Sequence, residues 1–160
     1  GYTVVPETAR MEIIARKVRH DQDTAVVDTD EIVSAPDFQT EVIQRRLAAE
    51  ARNGIDTGEV VICDRSLLDN IAYKRYFGER VPPYLRQLAE ERYDHVLYLE
   101  GLPLEQDGIR HENPSERDNL ANLLKEEYTE SYNDQLTTIA VADVEKRVKQ
   151  IVNDIEMHTE

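Results

Sequence analysis

Val60-Val61-Ile62-Cys63-Asp64-Arg65-Ser66, with Asp69 three residues further on, is the stretch on which the fold turns. Four consecutive apolar residues read as a buried strand, and the carboxylate falls where that strand ends. Ligands of open α/β sheets bind beyond the carboxyl ends of the strands, which puts Asp64 at the mouth of a site. A carboxylate so placed can hold Mg²⁺, directly or through water, or accept a proton from an attacking hydroxyl. The 160 residues contain no Gly-x-x-x-x-Gly-Lys-Ser/Thr phosphate loop. The chain therefore reads as a nucleotide-handling domain without its phosphate cradle.

On the far side of Asp64, Ser66 and Asp69 have the spacing of a capping box, and Leu68, Ile71, Ala72 and Arg75 follow at helical intervals. On the near side, Pro36 opens a helix with Phe38, Val42, Ile43, Leu47 and Ala51 on one face, ending at Asn53-Gly54. Before that, Tyr2-Thr3-Val4-Val5 is a short β-prone run stopped by Pro6. Thr8 is placed to cap a helix whose apolar face is Met11, Ile14 and Val18, while Arg19 to Ser34 has no clear period.

Downstream, Pro82-Pro83 introduces a short helix through Leu85, Leu88 and Ala89. His95 to Glu100 reads as a second buried strand ending in a carboxylate, followed by a polar loop from Gly101 to Pro114. Ser115 caps a helix carrying Leu120, Leu123, Leu124, Tyr128 and Ser131, with Tyr128 and Tyr132 read as packing residues. Thr137 to Val141 is strand-like, and Asp143 caps a helix bearing Val144, Arg147, Val148, Ile151, Val152 and Ile155. Strands alternating with helices predict one α/β domain over residues 1–160, a parallel sheet between two helical layers.

The balance of 33 acidic to 19 basic residues gives a formal charge of −14, with no basic stripe, which sets nucleic-acid binding aside. No apolar run approaches a membrane span, so no membrane partner is expected and a reducing cytoplasm is the natural setting. Cys63 is alone, which leaves no disulfide framework or thiolate metal site and makes it a small buried hydrophobe. His20, His95, His111 and His158 lack ligand spacing, which argues against a metal held by imidazole. The 14 arginines far outnumber the 5 lysines, an acid-rich, Lys-poor surface of the kind suited to high salt.

With Pro6-Glu7-Thr8-Ala9-Arg10, Asp64-Arg65-Ser66 and Asp107-Gly108-Ile109-Arg110 in this order, the chain resembles the NadR-like AAA/kinase domains. These are P-loop proteins related to nucleoside and nucleotide kinases. The resemblance implies ATP and Mg²⁺ as cofactors and a small-molecule acceptor, nucleoside-like or else water. It implies that Asp64 ends the Walker B-type strand near the metal and the moving phosphate, with Arg65 beside substrate or phosphate. It places Glu7 and Arg10 at the phosphoryl acceptor, and Arg110, with Arg117 as its partner, in a lid over the phosphates. A first strand and phosphate loop precede the matching segment in such families, so the domain is expected to be incomplete at its N-terminus. The strand Val60–Cys63 should then border a gap, an edge or a substitute strand. A non-catalytic binding or regulatory module on the same fold is the competing expectation.

Overall fold

The computed structural model describes residues 1–21, 28–55, 57–101 and 114–159. In chain order the elements are β1 (Thr3–Val5), α1 (Thr8–Asp21), α2 (Thr29–Val33), α3 (Phe38–Arg52), β2 (Val61–Cys63) and α4 (Leu67–Tyr76). They continue with α5 (Pro83–Glu91), β3 (Val96–Leu99), α6 (Pro114–Tyr132), β4 (Leu136–Ile139) and α7 (Val144–Thr159). α2 has no counterpart in the sequence reading, because its five residues are too few to show a period.

The strands are all parallel. Thr3 lies opposite Val61 and Val5 opposite Cys63; Val96 lies opposite Leu136 and Leu99 opposite Ile139. Among the described residues these ladders form two separate pairs, β1 with β2 and β3 with β4, and not the single continuous sheet that the alternation predicts. β2 is thus an edge, as expected for Val60–Cys63, and its three side chains are only half-buried.

The larger core is built around α4. Leu67, Leu68, Ile71 and Ala72 are completely buried, and the first three pack with Leu85, Ala89, Val96, Tyr128 and Tyr132 from α5, β3 and α6. A smaller core joins Ile13, Ile32, Phe38 and Val42. α3 serves both, since Ile43 and Leu47, also on its predicted face, pack against the larger cluster. α3 ends as expected at Asn53, and Gly54 follows with φ +82°, a left-handed conformation that spares a Cβ a 3.0 Å approach to Thr57 Oγ1.

One helix presents a different face from the one its apolar residues suggest, and another departs from it only in its first turns. On α1, Met11, Ile14 and Val18 are about half exposed, while Thr8, Glu12 and Ile13 face inward. The cause is Glu12, which is wholly buried and is held by Arg16 at 2.9 Å, Arg19 at 2.8 Å and Arg45 at 2.5 Å. Thr8 does not cap α1; it is the first helical residue, with a buried hydroxyl that has no partner among the described residues. On α7, Val144 and Val148 are exposed, but Arg147 of the expected face is buried and Ile151, Val152 and Ile155 are partly buried, with Asp154 buried beside them. Arg147 donates to the Glu100 carbonyl at 3.1 Å, which fixes that turn of the helix against the end of β3.

Glu50 and Glu127 repeat the device seen at Glu12. Both are wholly buried, Glu50 between Arg92 and the Tyr93 hydroxyl and Glu127 between Arg75 and Arg86. The preference for arginine over lysine has a structural use here, because a planar guanidinium can satisfy both carboxylate oxygens.

Candidate active site at the end of β2

The chain leaves β2 through Asp64, whose amide donates to the Val5 carbonyl at 2.8 Å and so extends the ladder by one step. Arg65 then adopts φ +73°, a left-handed conformation rare outside glycine. The turn is held from below by Arg46, itself only 2% exposed. Its Nη1 donates to the Arg65 carbonyl at 2.8 Å and its Nη2 to the Asp64 carbonyl at 3.2 Å. Arg46→Lys keeps a positive charge beside Glu50 but cannot bridge both carbonyls. We expect it to lower the unfolding free energy by about 1–2 kcal/mol, measured by urea denaturation. An unchanged midpoint would mean that the turn keeps its shape without the fork.

Ser66 and Asp69 form the predicted capping box at the start of α4. Asp69 Oδ2 accepts from the Ser66 amide at 2.9 Å and from the Tyr128 hydroxyl. Burial, followed by the Asp69 charge, pushes the Tyr128 phenol well above its ordinary value, so it remains a donor. Asp69 Oδ1 meets Arg65 Nη1 at 3.3 Å, and Arg65 Nε lies 3.9 Å from Glu7. Asp69 first, then Glu7, raise the guanidinium above its usual range and keep it charged. Glu7 also lies 3.8 Å from Arg10. The structure therefore brings Glu7, Arg10 and Arg65 together across 58 residues of sequence. Burial, then the Glu50 charge, raises the Cys63 thiol to about 11, which keeps it in the unreactive thiol form.

These groups form part of the wall of a cavity of about 370 Å³. Glu7, Arg10, Arg65 and Asp69 contribute charge, while Phe38, Tyr73, Tyr76 and Phe77 supply aromatic surface. Gln39 and Asn70 lie in the lining as a buried amide pair, Asn70 Nδ2 donating to Gln39 Oε1 at 3.0 Å. Asn70 Oδ1 and the Thr29 hydroxyl, also in the lining, are buried without a hydrogen-bond partner among the described residues. The size suits a small organic molecule, and the unpartnered atoms can meet polar groups on it. Asp64 stands outside this lining, exposed, and its carboxylate makes no ion pair or hydrogen bond among the described residues.

Gln39, Asn70, Tyr73 and Phe77 are site residues that sequence reasoning missed. They lie on α3 and α4, apart from Phe77, which ends α4 as its cap, and no short motif links them. The one available signal was Asn70, a polar residue next to the Asp69 cap and ahead of the apolar Ile71-Ala72. Arg110 and the side chain of Arg117 fall outside the described residues.

Residues 1–147 match a family model described as an AAA domain. No curated protein matches the chain, and no solved structure does.

Proposed function

The chain belongs to the AAA domain family of nucleotide-binding P-loop proteins, and from that membership we propose that it is part of an ATP-dependent kinase for a nucleoside-type small molecule. The observation that carries the reading is the cavity of about 370 Å³ beside the end of β2, with charge from Glu7, Arg10 and Arg65 and an aromatic wall. An enzyme that hydrolyses ATP needs room only for water, whereas this space fits a ring and a sugar.

In this proposal Glu7 takes a hydrogen bond from the acceptor hydroxyl and orients it. Arg65, kept charged between Asp69 and Glu7, faces the negative charge of the moving phosphoryl group, a task of positioning and electrostatics. Asp64 has the donor chemistry for Mg²⁺, a single exposed carboxylate with no competing partner among the described residues. When bound, that ion neutralises phosphate charge. Arg110 and Arg117 complete the proposal as lid cations over the phosphates.

Among the described residues β2 and β3 each pair on one side only, and one further parallel strand between them would join the pairs into a single sheet with helices on both faces. That strand would bring the phosphate loop, which the 160 residues do not contain. We therefore expect calorimetry with Mg·ATP on these residues alone to show binding weaker than micromolar, because no nest of amides receives the β- and γ-phosphates. Tight binding would show that another segment supplies the phosphate site. In the intact protein, labelled γ-phosphate should pass to a nucleoside. Release of free phosphate alone, unaffected by any nucleoside, would refute the kinase reading.

A further inference from the structure

We propose that His95, Asp154 and His158 form a binding site for one divalent transition-metal ion, with zinc the best match to their chemistry. One ring nitrogen from each histidine and a carboxylate oxygen of Asp154 all lie within 4.8 Å of one another. Two imidazoles and a carboxylate are a common zinc donor set, with bonds of about 2.0–2.2 Å. Adjacent donors in tetrahedral coordination then stand roughly 3.3 Å apart. The observed spacings bracket that value: His95 Nε2 is 2.7 Å from Asp154 Oδ2, and His158 Nδ1 is 3.6 Å from the same oxygen. Without the ion His158 Nδ1 donates to the Asp154 carbonyl at 2.8 Å, so metal binding exchanges that bond for coordination.

A second observation is that this oxygen is without a hydrogen bond. Asp154 is only 6% exposed, yet its Oδ2 receives no hydrogen bond among the described residues. His95 Nε2 is close but makes its hydrogen bond with Thr137 Oγ1, at 3.1 Å. Two donor atoms in near contact and not aimed at each other are arranged as neighbours on an ion, not as donor and acceptor. A buried carboxylate oxygen left without a hydrogen bond is costly, and a cation between the three groups removes that cost. The two imidazole rings stack with centroids 3.9 Å apart and planes 20° from parallel, so both edges reach the same carboxylate.

The site is assembled by the tertiary fold. His95 immediately precedes β3, Thr137 lies on β4, and Asp154 and His158 are one turn apart on α7. None of the three ligands lines the cavity beside β2. His158 is nearly half exposed, so the ion has a path in and water can complete its coordination. A bound ion would tie the C-terminal part of α7 to the β3–β4 pair and add its binding free energy to the stability of that unit.

The test is a titration of the chain with zinc chloride by calorimetry, with melting curves and a cobalt(II) absorption spectrum alongside. His158→Ala removes a half-exposed ligand near the end of α7 and leaves the core untouched; His95→Gln removes a second. We expect wild type to take up one equivalent of zinc, to melt several degrees higher and to give a visible cobalt spectrum. Each variant should bind at least ~10-fold more weakly and lose the spectrum. Wild type that takes up no zinc, or variants that bind it as tightly as wild type, would overturn the proposal.

Discussion

Asp64→Asn should lower phosphoryl transfer in the intact protein by about 10²–10⁴-fold, measured as steady-state turnover with Mg·ATP. Asn keeps the size and shape of the side chain but loses the charge that a metal or a proton requires. The same substitution should leave the melting curve unchanged to within about 0.5 kcal/mol, the range for a surface position. The structure gives the reason for that separation. What Asp64 contributes to the fold is its main chain, through the bond to Val5 and the bond from Arg46, and both survive. Near wild-type turnover in the folded variant would remove Asp64 from the proposed mechanism.

Glu127→Gln should produce the largest loss of stability, about 2–4 kcal/mol by urea denaturation. The wild-type carboxylate accepts from Arg86 Nη1 at 2.7 Å, from Arg86 Nη2 at 3.2 Å and from Arg75. The amide can accept at only one atom and turns its NH₂ toward cations. Arg75 and Arg86 are each about one-third exposed, 34% and 35%, so water recovers part of their loss. The effect then falls in the lower part of the range for a broken buried pair.

The pH dependence has a definite sign. Burial works against the Glu127 charge, but the Arg86 and Arg75 hydrogen bonds outweigh it and hold the pKa below the ordinary 4.5. A depressed carboxylate pKa stabilises the fold above 4.5, and that contribution is lost as pH falls through the lowered value. Wild type should therefore lose stability on acidification below 4.5 more steeply than Glu127→Gln, which has no such group to titrate. Parallel stability–pH curves for the two proteins would refute the assignment.

The local features of the chain were legible because they depend on neighbours in sequence. The run Val60–Cys63 ends in an acid, Ser66 and Asp69 have cap spacing, and Asn53-Gly54 stops α3; each fixes its own few residues and each is found in place. The strand-like runs from His95 to Glu100 and from Thr137 to Val141 gave β3 and, two residues shorter at its end, β4 for the same reason. The parallel sense of the pairs followed from the alternation of strand and helix.

Where burial depended on a distant partner, the residues alone pointed the wrong way or nowhere. α1 seemed to face inward through Met11, Ile14 and Val18, yet it buries Glu12, because a carboxylate can go inside once arginines surround it, and Arg45 comes from α3. Asn70 reads as an interruption in α4 until Gln39, 31 residues earlier, is seen against it in the cavity wall. His158 stands one turn from Asp154 on α7, but His95 is 59 residues away in sequence, and only the packing of α7 against the β3–β4 pair brings it to them. By itself the sequence determined the ends of β2 and β3, the caps at Ser66 and Asp143 and the placement of Asp64 and Arg65 beyond β2, because short-range backbone geometry sets these. The tertiary structure decided which charges are buried, what lines the cavity and which histidines meet, because each requires side chains from separate elements to share one desolvated space.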